Sequence, residues 1–211
     1  DFGCFCADHI HPDDLERFQT AYRDYVEGRS ASYEIEFRLR TKGGDYKWIY
    51  SRGRALRRNG DGRALRIVGA HTDITARKLV EERLRQSEKR YRDLFESAPV
   101  GVFQSSPQGR YLSINPEYAR LAGYESPAEM MARVTDIGLQ VYARPKARQE
   151  FMERLRRDGS VKDFEGELRR QSGKTYWVCL KATQKRDDQG TLFHDRFLKD
   201  INEKRRAETS L

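Results

Sequence analysis

Apolar and polar positions follow two rhythms along the chain. Leu15, Phe18, Tyr22 and Tyr25 recur at i, i+3, i+7 and i+10, the stripe of an amphipathic helix. His11-Pro12-Asp13-Asp14 precedes the stripe, and Pro followed by acids suits a helix start. The period then drops to two. Tyr33, Ile35, Phe37 and Leu39 alternate with polar residues, as on a half-buried strand. Lys42-Gly43-Gly44-Asp45 is hairpin chemistry, because Gly accepts positive φ. Two more strands are predicted at residues 46–56 and 64–71, divided by Asn59-Gly60-Asp61-Gly62.

The same order returns later. Ala147, Phe151 and Leu155 mark a helix. Strands are predicted at 164–170, 176–183 and 192–198, with turns at Ser172-Gly173 and Asp187-Asp188-Gln189-Gly190. This is an internal repeat. Residues 36–49 read EFRLRTKGGDYKWI and residues 165–178 read EGELRRQSGKTYWV. Glu36 aligns with Glu165, Leu39 with Leu168, Arg40 with Arg169, Gly44 with Gly173 and Trp48 with Trp177. Both tryptophans of the chain occupy this one position. The copies close on Asp73-Ile74-Thr75 and Asp200-Ile201-Asn202.

The second copy has a front half that the first lacks. Strands are predicted at 100–104 and 111–115, joined by Pro107-Gln108-Gly109-Arg110. Pro116 opens a helix that Gly123 stops. Ser126 and Glu129 form a capping box around Pro127. Residues 130–142 fit helix or loop equally. Between the copies, residues 75–96 contain no Gly or Pro and read as one helix. Val80, Leu84, Ser87, Tyr91 and Leu94 follow a 4-3-4-3 spacing, the seam of a helix that meets a partner helix. Arg77 and Ser87 weaken the seam, and an amphipathic helix lying on its own domain fits as well. Asp73 is placed to cap this helix.

Composition narrows the choices. With 37% hydrophobic and 35% charged residues the chain is very polar, yet 11 Tyr, 10 Phe and 2 Trp supply small cores. At roughly 150 residues per domain, 211 residues make one large domain or two small ones. No apolar run nears the ~20 residues that span a bilayer. Asp1-Phe2-Gly3-Cys4 is no secretory signal, and the missing Met suggests a fragment of a longer protein. Three cysteines, an odd count, argue for a reducing compartment and thus a cytoplasmic protein. The Cys4-x-Cys6 spacing is wrong for a zinc knuckle. The net charge of +8 is spread among interleaved acids, which argues against a nucleic-acid groove.

In order and spacing these elements resemble tandem PAS domains of bacterial signalling proteins. The resemblance rests on Ala98-Pro99-Val100-Gly101, Gly109-Arg110, the run Asn115-Pro116-Glu117-Tyr118-Ala119-Arg120-Leu121-Ala122-Gly123-Tyr124, and Ser126-Pro127. The C-terminal PAC motif recurs, from Gly44 through Trp48 to Asp73-Ile74-Thr75 and from Gly173 through Trp177 to Asp200-Ile201-Asn202. It implies an α+β fold, a five-stranded antiparallel sheet with helices on one face, in two modules joined by a helical linker. Residues 1–75 would be the C-terminal half of one module, 76–95 a signalling helix, 96–202 a complete module, and 203–211 the start of an output helix. The missing front of the first module would leave a sheet edge unpaired. The resemblance implies a non-catalytic sensory or dimerising role, with a histidine kinase or diguanylate cyclase output domain on the same chain. The alternatives are a ligand-free interaction scaffold and, less favoured, a nucleic-acid-binding fragment.

Catalytic motifs are missing. No Walker loop, nucleophile elbow or HExxH occurs. Gly43-Gly44-Asp45 and Asp1-Phe2-Gly3 lack the context of a cyclase or kinase signature. His9, His11, His71 and His194 fall in predicted loops or strand ends, unlike a phosphoacceptor. Haem is disfavoured because residues 144–157 carry no His. A photoactive flavin is disfavoured because the resemblance places its reactive Cys in a helix motif after the Asn-Pro segment, where Ala143-Arg144-Pro145 and its surroundings contain no Cys, and Cys179 lies on a strand. No motif names a cofactor. A small-molecule pocket in the second copy would draw on Phe103, Asn115, Tyr118, Leu121, Phe151, Phe164, Trp177 and Cys179, with Asn115 the leading polar candidate. Plain core packing explains the same residues.

Overall fold

The computed structural model describes residues 8–209. Asp1-Phe2-Gly3, Cys4 and Cys6 lie outside the described residues. The chain divides into two compact units between Glu88 and Lys89.

In the first unit, helix α1 (Pro12–Val26) precedes strands β1 (Tyr33–Arg40), β2 (Tyr46–Arg58) and β3 (Ala64–Asp73). The sheet is antiparallel in the order β1-β2-β3, with Phe37 opposite Ile49 and Ile49 opposite Asp73. The two predicted rhythms meet in one core. Phe18 of α1 packs edge-on against Phe37 of β1, with ring centroids 4.8 Å apart, among Tyr25, Tyr33, Ile35 and Ile49. Asp14 fastens the helix to the strand by accepting from Arg38 N at 2.9 Å and Arg38 Nε at 2.8 Å. Those bonds hold its carboxyl below the usual carboxylate value despite its burial. The outer edge of β3 pairs with no named strand, and most of β3 is exposed. A cavity of about 630 Å³ lies there, lined in part by Tyr22, Tyr33, Leu65, Ile67 and His71.

The second unit contains β4 (Gly101–Ser105), β5 (Tyr111–Ile114), α3 (Pro116–Ala122), α4 (Pro127–Arg133), α5 (Ile137–Gln140) and α6 (Pro145–Asp158). Strands β6 (Ser160–Arg169), β7 (Thr175–Arg186) and β8 (Leu192–Asp200) follow, and then helix α7 (Asn202–Thr209). The five strands are antiparallel in the order β5-β4-β8-β7-β6. Thus β1, β2 and β3 correspond to β6, β7 and β8, and among the described residues the first unit has no counterpart of β4 and β5. Helix α2 (Thr75–Ser97) runs through the division.

Sequence and structure differ in a few places. Strand β6 starts at Ser160 rather than 164, because a bulge between Val161 and Phe164 carries Asp163 at φ 52° and hides the alternation. The ambiguous 130–142 stretch holds the end of α4 and the single turn α5. Asp136 Oδ1 caps α5 by accepting from Gly138 N at 2.7 Å and Leu139 N at 3.1 Å. Gly101 marks a close approach of β4 to β8. A Cβ there would stand 2.7 Å from Leu198 Cγ.

Candidate functional site

The repeat builds the same junction twice, where each sheet hands over to a helix. In the first unit, Asp73 Oδ1 accepts from Thr75 N at 2.9 Å, and Thr75 Oγ1 accepts from Trp48 N at 3.0 Å. Trp48 O then accepts from Ile74 N at 2.9 Å. In the second unit, Asp200 Oδ1 accepts from Asn202 N at 2.8 Å and Asn202 Oδ1 from Trp177 N at 3.1 Å. Trp177 O accepts from Ile201 N at 2.9 Å. The isoleucines are buried between these bonds. A basic side chain holds each aspartate, Lys47 on Asp73 at 2.7 Å and Arg170 on Asp200 at 3.3 Å. The Lys47 and Thr75 bonds keep the Asp73 carboxyl well below the usual carboxylate range.

The first turn of each helix adds a second tie. Lys78 lies over the Trp48 ring at 5.2 Å, and Arg205 over the Trp177 ring at 3.7 Å. Glu36 pairs with Lys78 at 2.6 Å and also with Arg77, which with Lys78 lowers its carboxyl's pKa. Glu165 pairs with Arg205 at 2.8 Å and Lys204 at 3.9 Å. A further cation stacks on each ring, Arg38 on Trp48 at 5.4 Å and Arg144 on Trp177 at 5.5 Å. The sequence reading passed over these glutamates and cations. The signal was present: Glu36 and Glu165 align, and each basic pair begins four residues after its closing aspartate.

The structure divides the pocket candidates. Phe103, Tyr118, Leu121, Phe151 and Phe164 are buried in one cluster. Phe103 stacks on Tyr118 with centroids 4.6 Å apart, and Phe151 meets Phe164 edge-on at 5.1 Å. Asn115 is fully buried, but its amide is engaged by the protein itself. Oδ1 accepts from Val102 N at 2.9 Å and Tyr118 N at 3.0 Å, while Nδ2 donates to Val100 O at 2.9 Å and Phe95 O at 3.2 Å. It therefore caps α3 and ties the incoming chain to β4, which leaves no capacity for a ligand. Trp177 and Cys179 are corrected to the opposite face of β7. The inward positions are Tyr176, Val178 and Leu180, and period two turns their neighbours outward. Cys179 Sγ lies 3.8 Å from Asp163 Oδ1, and burial first, then Asp163, raises its thiol pKa.

The linker candidates lie along α2, none of whose residues is buried. Val80, Leu84, Tyr91 and Leu94 are 59–64% exposed, so the helix does not lay this stripe on its own domain.

Sequence reasoning missed a polar group on the inner face of the second sheet. His194 and Arg196 of β8 are buried, opposite Ser105 and Phe103 of β4. The Arg196 guanidinium lies over both the Phe103 and the Phe151 ring, at 5.7 and 5.2 Å. The hydroxyls of Tyr111 and Tyr118 are 2.6 Å apart, and burial raises both phenol pKa values. Burial, then the Arg196 charge, pushes the His194 imidazole down to about 4. No helix among the described residues is long and apolar enough to cross a membrane, and no described cluster of His, Cys, Asp or Glu suits a metal.

Comparison with known proteins sets this architecture in context. The chain is 34% identical over 94 residues to the two-component sensor PprA of Pseudomonas aeruginosa, covering 44% of this chain and 10% of that protein. It is 36% identical over 107 residues to the uncharacterized protein y4lL of Sinorhizobium fredii, covering 51% and 13%. The chain thus spans about a tenth of the length of these relatives. A crystal structure of a sensory box histidine kinase/response regulator from Burkholderia thailandensis matches with 44% identity and a TM-score of 0.38, covering 41% of this chain and 65% of that one. A PAS domain of an HTR-like protein from Haloarcula marismortui matches with 22% identity and a TM-score of 0.46, covering 59% and 99%. Models of the PAS fold match residues 3–71 and 89–194 in tandem, and the chain belongs to the PAS-fold family.

Proposed function

We propose that this chain is a non-catalytic, cytoplasmic sensory and dimerising segment. It passes a ligand or interface change through its helices to an output domain of histidine kinase or diguanylate cyclase type on the same chain. Residues 1–75 and 96–202 act as the modules, 76–95 as the signalling helix and 203–211 as the start of the output helix. The observation that carries this reading is the twofold junction, in which one central tryptophan holds the first turn of each departing helix. A change in sheet geometry reaches the helix through those bonds. A signal biases the helix only by binding its arrangements with different affinity. The exposed Val80, Leu84, Tyr91 and Leu94 stripe supports a second copy of this chain as partner.

Two measurements on the full chain test this. Analytical ultracentrifugation should give a dimer that Leu84→Glu dissociates. Hydrogen exchange should show α7 amides exchanging several-fold faster in Glu165→Gln, with β7 unchanged. A monomeric wild type together with an unresponsive α7 refutes the reading. The second reading is a ligand-free scaffold. The full internal use of Asn115 favours it, and native mass spectrometry without any retained small molecule would support it.

A further inference from the structure

We propose that the core of the second unit binds a small organic carboxylate at Arg196. The proposal rests on the sensory reading and gives its ligand a chemical class. Arg196 is completely buried. Its Nη2 makes only long contacts, to Met152 Sδ and His194 Nδ1, each at 3.4 Å. Its Nε and Nη1 are buried and meet no hydrogen-bond acceptor. A guanidinium carries five donors and a permanent charge. A buried ion of this kind ordinarily keeps a carboxylate beside it, because an unpaired buried charge costs several kcal/mol. Among the described residues no salt bridge reaches Arg196. The groups that act on it most strongly are Tyr142, Arg148, Tyr111 and Tyr118, three phenols and another cation.

The surroundings repeat the theme. Arg148 Nη1 on α6 is also a buried donor without a partner, and so is the Ser105 hydroxyl, on the residue that pairs with His194 across the sheet. The core therefore holds an excess of donors and positive charge, and a carboxylate supplies what it lacks: a negative charge and strong acceptors. The neighbours are aromatic, with the guanidinium lying over the Phe103 and Phe151 rings at 5.7 and 5.2 Å. Aromatic neighbours favour an anion with an organic body over a bare inorganic ion. The strand pattern points the same way. On β8, His194 and Arg196 occupy the inward positions while Phe197 is exposed, an inversion of the usual pattern that sequences tolerate mainly at functional sites.

Thermal unfolding of the full chain tests the site, with sodium formate, succinate and benzoate at about 10 mM, benzamide as the neutral isostere and sodium chloride as the ionic control. At least one carboxylate should raise the second unit's midpoint by about 5 °C, with benzamide and chloride inert. Arg196→Met should abolish the rise and leave the protein at least as stable as wild type without carboxylate. Arg196→Gln, which retains polarity, should also abolish it and serves if the Met variant fails to fold. The proposal is overturned if no carboxylate exceeds chloride, or if the variants keep the rise. Inert carboxylates with an α7 that still responds to Glu165→Gln overturn the ligand class and leave the sensory reading standing. Loss of both responses removes the two together.

Discussion

Asn115→Ala should be among the most damaging single changes in the second unit. The amide serves two acceptor and two donor bonds, and no water competes at a fully buried residue. Loss of the cap on α3 costs about 1 kcal/mol. The Val102 N–H and two carbonyls lose their partner as well, and a buried donor left unsatisfied costs about 1–3 kcal/mol. The total is about 2–4 kcal/mol. Urea unfolding measures it, and the one tryptophan in each unit separates the transitions. In a Trp48→Phe background, Trp177 emission reports on the second unit alone. With a slope of about 1.5 kcal/mol per molar, the midpoint should fall by about 2 M. Asn115→Asp tests the mechanism. It keeps both acceptor bonds but turns a carboxylate oxygen toward Val100 O and Phe95 O. Its penalty relative to wild type should be large at pH 7 and shrink in acid, where the protonated acid again donates. A loss below about 1 kcal/mol for Asn115→Ala, or a pH-independent penalty for Asn115→Asp, would refute the reasoning.

Other consequences are as concrete. Gly101→Ala drives a Cβ to 2.7 Å from Leu198 Cγ and 3.1 Å from Tyr118 Cβ, and should cost about 1–3 kcal/mol by chemical denaturation. A value within 0.5 kcal/mol of wild type would mean that this strand crossing yields freely. The Arg38 bonds depress the folded pKa of Asp14, so its contribution is present above the unfolded value near 4 and is lost as pH falls through the lower folded value. The stability gap between wild type and Asp14→Asn should thus be constant from about pH 5 to 7 and close in stronger acid, as followed by Trp48 emission. Amides of β3 should exchange faster than those of β8, since β8 is paired on both sides and β3 on one. Equal protection would show that something covers the β3 edge.

Much of this fold was legible because the local and global signals agree. Tyr33, Ile35, Phe37 and Leu39 set the face of β1 by period alone, and Gly123, at φ 82°, ends α3 where a left-handed residue is needed. The duplicated Glu, Gly and Trp positions predicted that the same succession of strands and turns recurs. The site was less legible. Trp177 and Cys179 drew attention as aromatic and thiol, yet the Tyr176, Val178 and Leu180 alternation had already assigned the inward face. Asn115 was read as a polar group in need of partners, but those partners are backbone atoms of Phe95, Val100, Val102 and Tyr118, invisible until the strands are paired. Arg196 escaped notice because a lone charge in a strand reads as outward. Only the pairing of β8 with both β4 and β7 encloses it.

The twofold junction also bears on how such chains are assembled. The bonds described above that secure the start of a departing helix come from its own module or from that helix's first turn, through Lys78 in one case and Arg205 in the other. These bonds do not reach past the first turn of either helix. A genetic exchange made just beyond either residue would transplant an intact hinge with its module. Chains of this kind can therefore be lengthened or re-headed by recombination without redesigning the joint.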